Sequence, residues 1–255
     1  MQIFRWLKSS ILSTAAIVAA AALTPAQAAE VKNVVIVHGA LADGSGWRKV
    51  YDLLSAKGYK VTIVQEPMTS LQDDVNATHR ILAMQDGPAI LVGHSYGGVV
   101  ITEAGNAPNV AGLVYIAAFQ PDAGETLLSL AGQQPAATKG ILSTPDGFLY
   151  LDPKVYAQDF AADVPQADAE YMARSQVFPA QESFATKIKS PAWRAKKSWA
   201  LVASEDRAIH PDLLRMMAKR AGSKSVEVAA SHAVFMSQPA AVAALIEDAA
   251  KGVSD

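Results

Sequence analysis

No cysteine occurs among the 255 residues. Its absence excludes a disulfide framework, a thiolate metal site and a lipid-modified cysteine, so an ordinary hydrophobic core must carry the fold. Basic runs are missing as well. The 22 Lys and Arg against 24 Asp and Glu leave a net charge of −2, with no basic patch of the kind that holds a nucleic acid. There is no internal repeat, and no low-complexity tract beyond an alanine-rich start.

That start has an organisation of its own. Arg5 and Lys8 precede an apolar stretch at 11–23, and Pro25-Ala26-Gln27-Ala28 supplies a small-x-small pattern behind it. The order predicts a cleavable signal peptide over 1–28, cut after Ala28. The apolar run is short for a bilayer span, which argues against a membrane anchor. The remaining 255 less 28, or 227, residues carry 20 basic against 24 acidic groups. That length suits one domain at 29–255. A cleaved leader implies a periplasmic or secreted destination, and the sequence does not separate the two.

Short apolar, β-branched runs alternate with helical patterns. Strands are expected at 33–37, 60–64, 89–93, 111–118, 198–204 and 225–230. Their continuous rather than alternating hydrophobicity is what a parallel sheet covered on both faces demands. Helices are expected at 47–57, 71–84, 96–104, 211–221 and 240–250, with Ser70 as an N-cap and Pro211 in a first turn. The alternation predicts an α/β fold with a doubly wound, mostly parallel sheet of about six strands. Residues 120–197 break it: they hold no clear buried strand, but Pro and Gly punctuation, short amphipathic pieces and several aromatics. A structureless loop of that length is improbable in a compact domain, so an inserted helical cap is expected there.

The stretch "ILVGHSYGGVV" (90–100) interrupts an apolar run with Gly93-His94-Ser95-Tyr96-Gly97-Gly98. Glycine weakens strand and helix alike, so regular propensity is lost on both sides of one serine. The pattern is G-x-S-x-G between a strand and a helix, a sharp turn that lifts a nucleophilic hydroxyl into solvent beside a helix N-terminus. A serine needs a base. Of the five histidines, His79 falls on a helix surface, His38 and His94 stand early, and His210 precedes a helix. His232 follows the sixth strand, where the Ser, then Asp or Glu, then His order places the base. The orienting acid should follow the preceding strand, where Glu205 and Asp206 are adjacent, and residue chemistry leaves both open. Two backbone N–H groups complete such a site, from Tyr96 after the nucleophile and from Ala40 in the "VHGALADGSGW" loop.

Together Val37-His38-Gly39-Ala40, Gly93 to Gly98, Ser204-Glu205-Asp206-Arg207 and Ser231-His232 with Met236-Ser237 resemble the α/β-hydrolase superfamily. More narrowly the chain is similar to the branch of small esterases and hydroxynitrile lyases that includes plant methyl salicylate esterases and their bacterial relatives. The resemblance implies Ser95 as nucleophile, Asp206 as acid and His232 as base, with Ala40 and Tyr96 as N–H donors and no metal or organic cofactor. The lyases of this branch carry a threonine where Gly39 stands and a lysine where Ala233 stands. Those departures favour hydrolysis of a small carboxylic ester over cyanohydrin cleavage. Relatives usually carry leucine, methionine or glutamine at position 96, so Tyr96 is expected to reshape the pocket floor.

The expected partner is a small-molecule ester, with no nucleic acid and no membrane anchor after leader removal. The oligomeric state, a dimer included, is left open. A lyase, a carbon–carbon hydrolase, a perhydrolase side activity and a non-catalytic small-molecule binder are the rival readings.

Overall fold

The computed structural model describes residues 30–253; the leader expected at 1–28 lies outside them. Six strands form one sheet: β1 (Asn33–Val37), β2 (Lys60–Val64), β3 (Ala89–His94), β4 (Val110–Ile116), β7 (Ser198–Ala203) and β8 (Lys224–Val228). Between β4 and β7 a separate hairpin pairs β5 (Ile141–Ser143) with β6 (Leu149–Leu151). All neighbours in the large sheet are parallel, in the order β2-β1-β3-β4-β7-β8. Among the described residues ten α-helices run α1 (Arg48–Ser55), α2 (Leu71–Ala83), α3 (Gly97–Ala104), α4 (Leu127–Ala131), α5 (Pro153–Phe160), α6 (Gln166–Arg174), α7 (Gln181–Ala185), α8 (Pro211–Arg220), α9 (Val234–Ser237) and α10 (Pro239–Gly252).

Hydrophobic runs become central strands because both faces are covered. Every residue of β1, β3 and β7 is buried. Helices α1 and α10 pack as one pair, and α2 with α3 as another. The expectation of full burial fails at the two edges. In β8 four of the five residues are exposed, and β2 is only partly covered. An edge strand has one neighbour, and its charged residues (Lys224 and Glu227, Lys60) discourage pairing with a second chain.

The sheet order reverses direction between β1 and β3: the chain steps outward to β2, returns past β1, and then builds the other way. Such a switch point opens a crevice beyond the C-terminal strand ends, where ligands of open α/β sheets bind. Two loops reach it directly, the 38–43 loop after β1 and the Ser95 turn after β3.

The insertion between β4 and β7 departs from the helical expectation in one respect. Besides α4 to α7 it contains the β5–β6 hairpin, turned at Pro145-Asp146-Gly147 with Gly147 at φ +88°. Strands of three residues bury too little to leave a periodic signal. Among the described residues no helix is long and apolar enough to cross a membrane.

Candidate active site

Ser95 is held at φ +51°, a left-handed conformation that costs a non-glycine residue free energy. Its surroundings enforce it. A Cβ added at Gly93 would lie 2.5 Å from the Gly97 carbonyl oxygen, and one at Gly97 would lie 2.5 Å from that of Val37. One at Gly98 would run into the Phe119 carbonyl oxygen. Only glycine lets α3 start this close to β1 and to the end of β4. The Ser95 carbonyl accepts from Gly98 N (3.0 Å) and Phe119 N (3.1 Å). Because a trans peptide is planar, fixing that carbonyl also aims the Tyr96 N–H the opposite way.

The Gly39–Ala40 peptide is fixed in the same manner. His38 Nε2 accepts from the Glu66 N–H at 3.2 Å, so its proton sits on Nδ1, which donates to the Gly39 carbonyl at 2.9 Å. Burial lowers the His38 pKa and keeps the ring neutral. Neither Ala40 N–H nor Tyr96 N–H donates to a protein acceptor among the described residues. Both residues line one cavity together with Ser95 and His232.

His232 is buried and closely held. Its Nδ1 lies 2.6 Å from Asp206 Oδ2. The carboxylate can only accept, so Nδ1 carries the proton and the Nε2 lone pair remains free. Asp206 Oδ1 in turn accepts from Ala208 N (2.8 Å) and Ile209 N (2.9 Å). Behind the ring, His94 Nε2 donates to the His232 carbonyl at 3.0 Å, and burial holds the His94 pKa well below its ordinary value. No hydrogen bond joins Ser95 to His232 in the structure. Nucleophile–base contacts are commonly loose before substrate binds.

The structure therefore brings Ser95, His232, Ala40 and Tyr96 to one cavity and Asp206 to His232. Glu205 is exposed and makes no side-chain hydrogen bond among the described residues, so geometry sets apart two acids that residue chemistry left open and that only the resemblance distinguished. Arg207 pairs with Asp159 of α5, at 2.8 Å, rather than with Asp206. His210 caps α8, accepting from Asp212 N. The cavity, about 370 Å³, is walled by Phe119, Leu127, Leu128, Ile141, Leu142, Leu149, Phe160 and Phe184, with no Lys, Arg, Asp or Glu in its lining. Among the described residues no cluster of three or more His, Asp or Glu could hold a metal ion.

The profile of the alpha/beta hydrolase family matches residues 34–245, from the start of β1 into α10. The chain belongs to the alpha/beta hydrolase family. A carbendazim hydrolyzing esterase of Nocardioides is 36% identical to this chain over 112 residues, which is 38% of this chain and 46% of that esterase. The match thus spans under half of that relative's length. A pyrethroid hydrolase structure from Sphingobium faniae superposes with a TM-score of 0.74 at 25% identity, covering 86% of this chain and 97% of its own. Polyneuridine aldehyde esterase gives 0.74 at 20% identity, covering 86% and 99%, a likeness of fold.

Sequence reasoning missed a second group near the cavity. Beneath the cavity floor the Tyr96 hydroxyl donates to Asp74 Oδ2 at 2.7 Å, and Met68 N, at φ +58°, donates to Asp74 Oδ1 at 2.8 Å. Glu66 is buried beside them, its carboxyl oxygens without a hydrogen-bond donor and Oε2 3.5 Å from His38 Nδ1. Burial, and then Asp74, raise its pKa well above the ordinary value. Asp74 lies in the acidic first turn of α2, where a solvated N-terminal charge is the ordinary reading, so no local signal marked it.

Proposed function

We propose that this alpha/beta hydrolase cleaves small, uncharged carboxylic esters through a covalent acyl-enzyme. The observation that carries the reading is the pair of uncommitted N–H donors, Ala40 and Tyr96, opening on the same cavity as Ser95 and His232. Ser95 Oγ rotates onto His232 Nε2, gives up its proton there and attacks the ester carbonyl. The two N–H groups receive the negative charge that develops on the carbonyl oxygen. Preorganised donors of this kind each contribute about a hundredfold to a thousandfold in turnover. His232 then passes the proton to the departing alcohol, and Asp206 stabilises the imidazolium in between. A water molecule, deprotonated by His232, releases the acid and restores Ser95.

The esterase and hydrolase names of the relatives support the same chemistry. So does the apolar cavity, where burying an unpaired ionic group would be costly. The hydroxynitrile lyase reading fares worse. A Cβ at position 39 would fall 2.6 Å from His94 Nδ1 and 2.8 Å from Ser95 Cβ, leaving no room for the lyase threonine on this backbone. No Lys or Arg lines the cavity to stabilise a departing cyanide.

The test is a panel of short acyl and aryl esters, with wild type and Ser95→Ala. Wild type should turn them over and be labelled stoichiometrically at Ser95 by a phosphonate ester. The variant should lose turnover and labelling while keeping its fold by circular dichroism. Wild-type turnover in Ser95→Ala would overturn the assignment. An exported location, from the leader at 1–28, is proposed on sequence alone and is checked by the mature N-terminus.

A further inference from the structure

Three loops meet at the cavity, and one short helix of the cap touches all of them. Tyr156 of α5, fully buried, donates its hydroxyl to the Leu41 carbonyl at 2.9 Å. Leu41 sits at φ +65° immediately after Ala40. One turn later Asp159, also buried, accepts from Arg207 Nε at 2.8 Å, next to Asp206. Its other oxygen accepts from Thr138 Oγ1 at 2.7 Å, and Thr138 N donates to the Arg207 carbonyl at 2.9 Å. At the helix end the Phe160 carbonyl accepts from Ala233 N at 2.9 Å. Just beyond, Asp163 takes both the N–H (3.2 Å) and the hydroxyl of Ser231. Ser231 and Ala233 flank His232, and the Phe160 ring meets the His232 ring edge-on at 4.7 Å.

We propose that α5 and the turn after it align the catalytic loops, with Tyr156, Asp159 and Asp163 as positioning residues for the oxyanion, acid and base loops. The proposal deepens the ester-hydrolase reading and rests on it. None of the three side chains lines the cavity, so they act on the placement of reacting groups rather than on substrate fit. Loops alone are poor holders of a constellation that must be accurate to about half an ångström. Here one rigid element ties all three, and the cap becomes part of the catalytic frame as well as a pocket wall.

The test compares Asp163→Ala, Asp163→Asn and Tyr156→Phe with wild type. Asp163 is exposed, so its removal leaves the core intact. Asp163→Ala and Tyr156→Phe should each lower kcat roughly 10- to 100-fold, the scale of a sub-ångström to ångström misplacement, with KM unchanged. Asp163→Asn, which keeps an acceptor for Ser231, should recover most of the loss. The downfield proton resonance of His232 Nδ1–H against Asp206 should shift or broaden in Asp163→Ala and stay in place in Tyr156→Phe. Wild-type kcat in both variants, or a change confined to KM, would overturn the alignment role. So would an unaltered His232 resonance in Asp163→Ala. If wild type itself neither turns over esters nor reacts with the phosphonate, the ester-hydrolase reading fails. The resonance then still decides whether Asp163 positions His232.

Discussion

Asp206 and Glu205 are neighbours with the same charge, yet their surroundings give them opposite fates. Asp206 is buried, its Oδ1 closes a turn through two backbone N–H groups, and its Oδ2 is left to face His232. Glu205 points to solvent. Asp206→Asn would present an amide N–H to Nδ1 or force the wrong tautomer on the ring. A loss of roughly 10³- to 10⁴-fold in kcat is expected, with the fold retained. Glu205→Gln should stay within about twofold of wild type. Steady-state kinetics on one ester decide the matter, and the reverse order would move the proposed acid role to Glu205.

At the scale of elements, the fit of α3 against β1 and β4 governs the site. Gly98 meets Ala118 Cβ at 2.8 Å from an added Cβ, besides the Phe119 carbonyl. That same Phe119 donates its N–H to the Ser95 carbonyl and so helps aim Tyr96. Gly98→Ala therefore acts twice. Overpacking should cost about 1–3 kcal/mol in stability, and the displaced Phe119 should release the peptide proposed to hold the oxyanion and lower kcat. Thermal unfolding and kinetics would show both. A variant as stable and as active as wild type would mean that the α3–β4 contact yields without consequence.

Across the whole molecule, the buried carboxyls make stability depend on pH. Burial raises the Asp74 pKa from its ordinary 3.8 to about 6. Between those values the folded state holds a proton that the unfolded state has released, so stability falls as pH rises through the window. The groups facing Asp74 are Tyr96, Glu66 and its neighbour Asp73, and the Glu66 shift acts in the same direction. Asp74→Asn keeps an acceptor for Met68 N and cannot ionise. Relative to wild type it should gain on the order of 2 kcal/mol between pH 4 and pH 7. Denaturant titrations across that range measure it, and parallel pH curves for the two proteins would refute it.

What the sequence by itself determined is the part whose signal is local. Continuous apolar runs mark strands β1, β3, β4 and β7. The glycines around Ser95 mark the turn, because only a residue without a side chain tolerates so close an approach of helix and strand. The loop after the last strand marks His232. Strand limits differ by one or two residues, as at β4, expected at 111–118 and found at Val110–Ile116. Residue chemistry left Glu205 and Asp206 open, and the resemblance alone favoured Asp206 before the packing set it against His232. Other features were decided only by the tertiary structure: the exposure of β8, the hairpin within the cap, the buried Asp74 and Glu66, and the reach of α5 across three loops. Each depends on where segments far apart in the chain come to lie. A carboxylate reads the same along the chain whether it ends in water, against an imidazole or beside a tyrosine, and only the packing around it sets its charge and its partner.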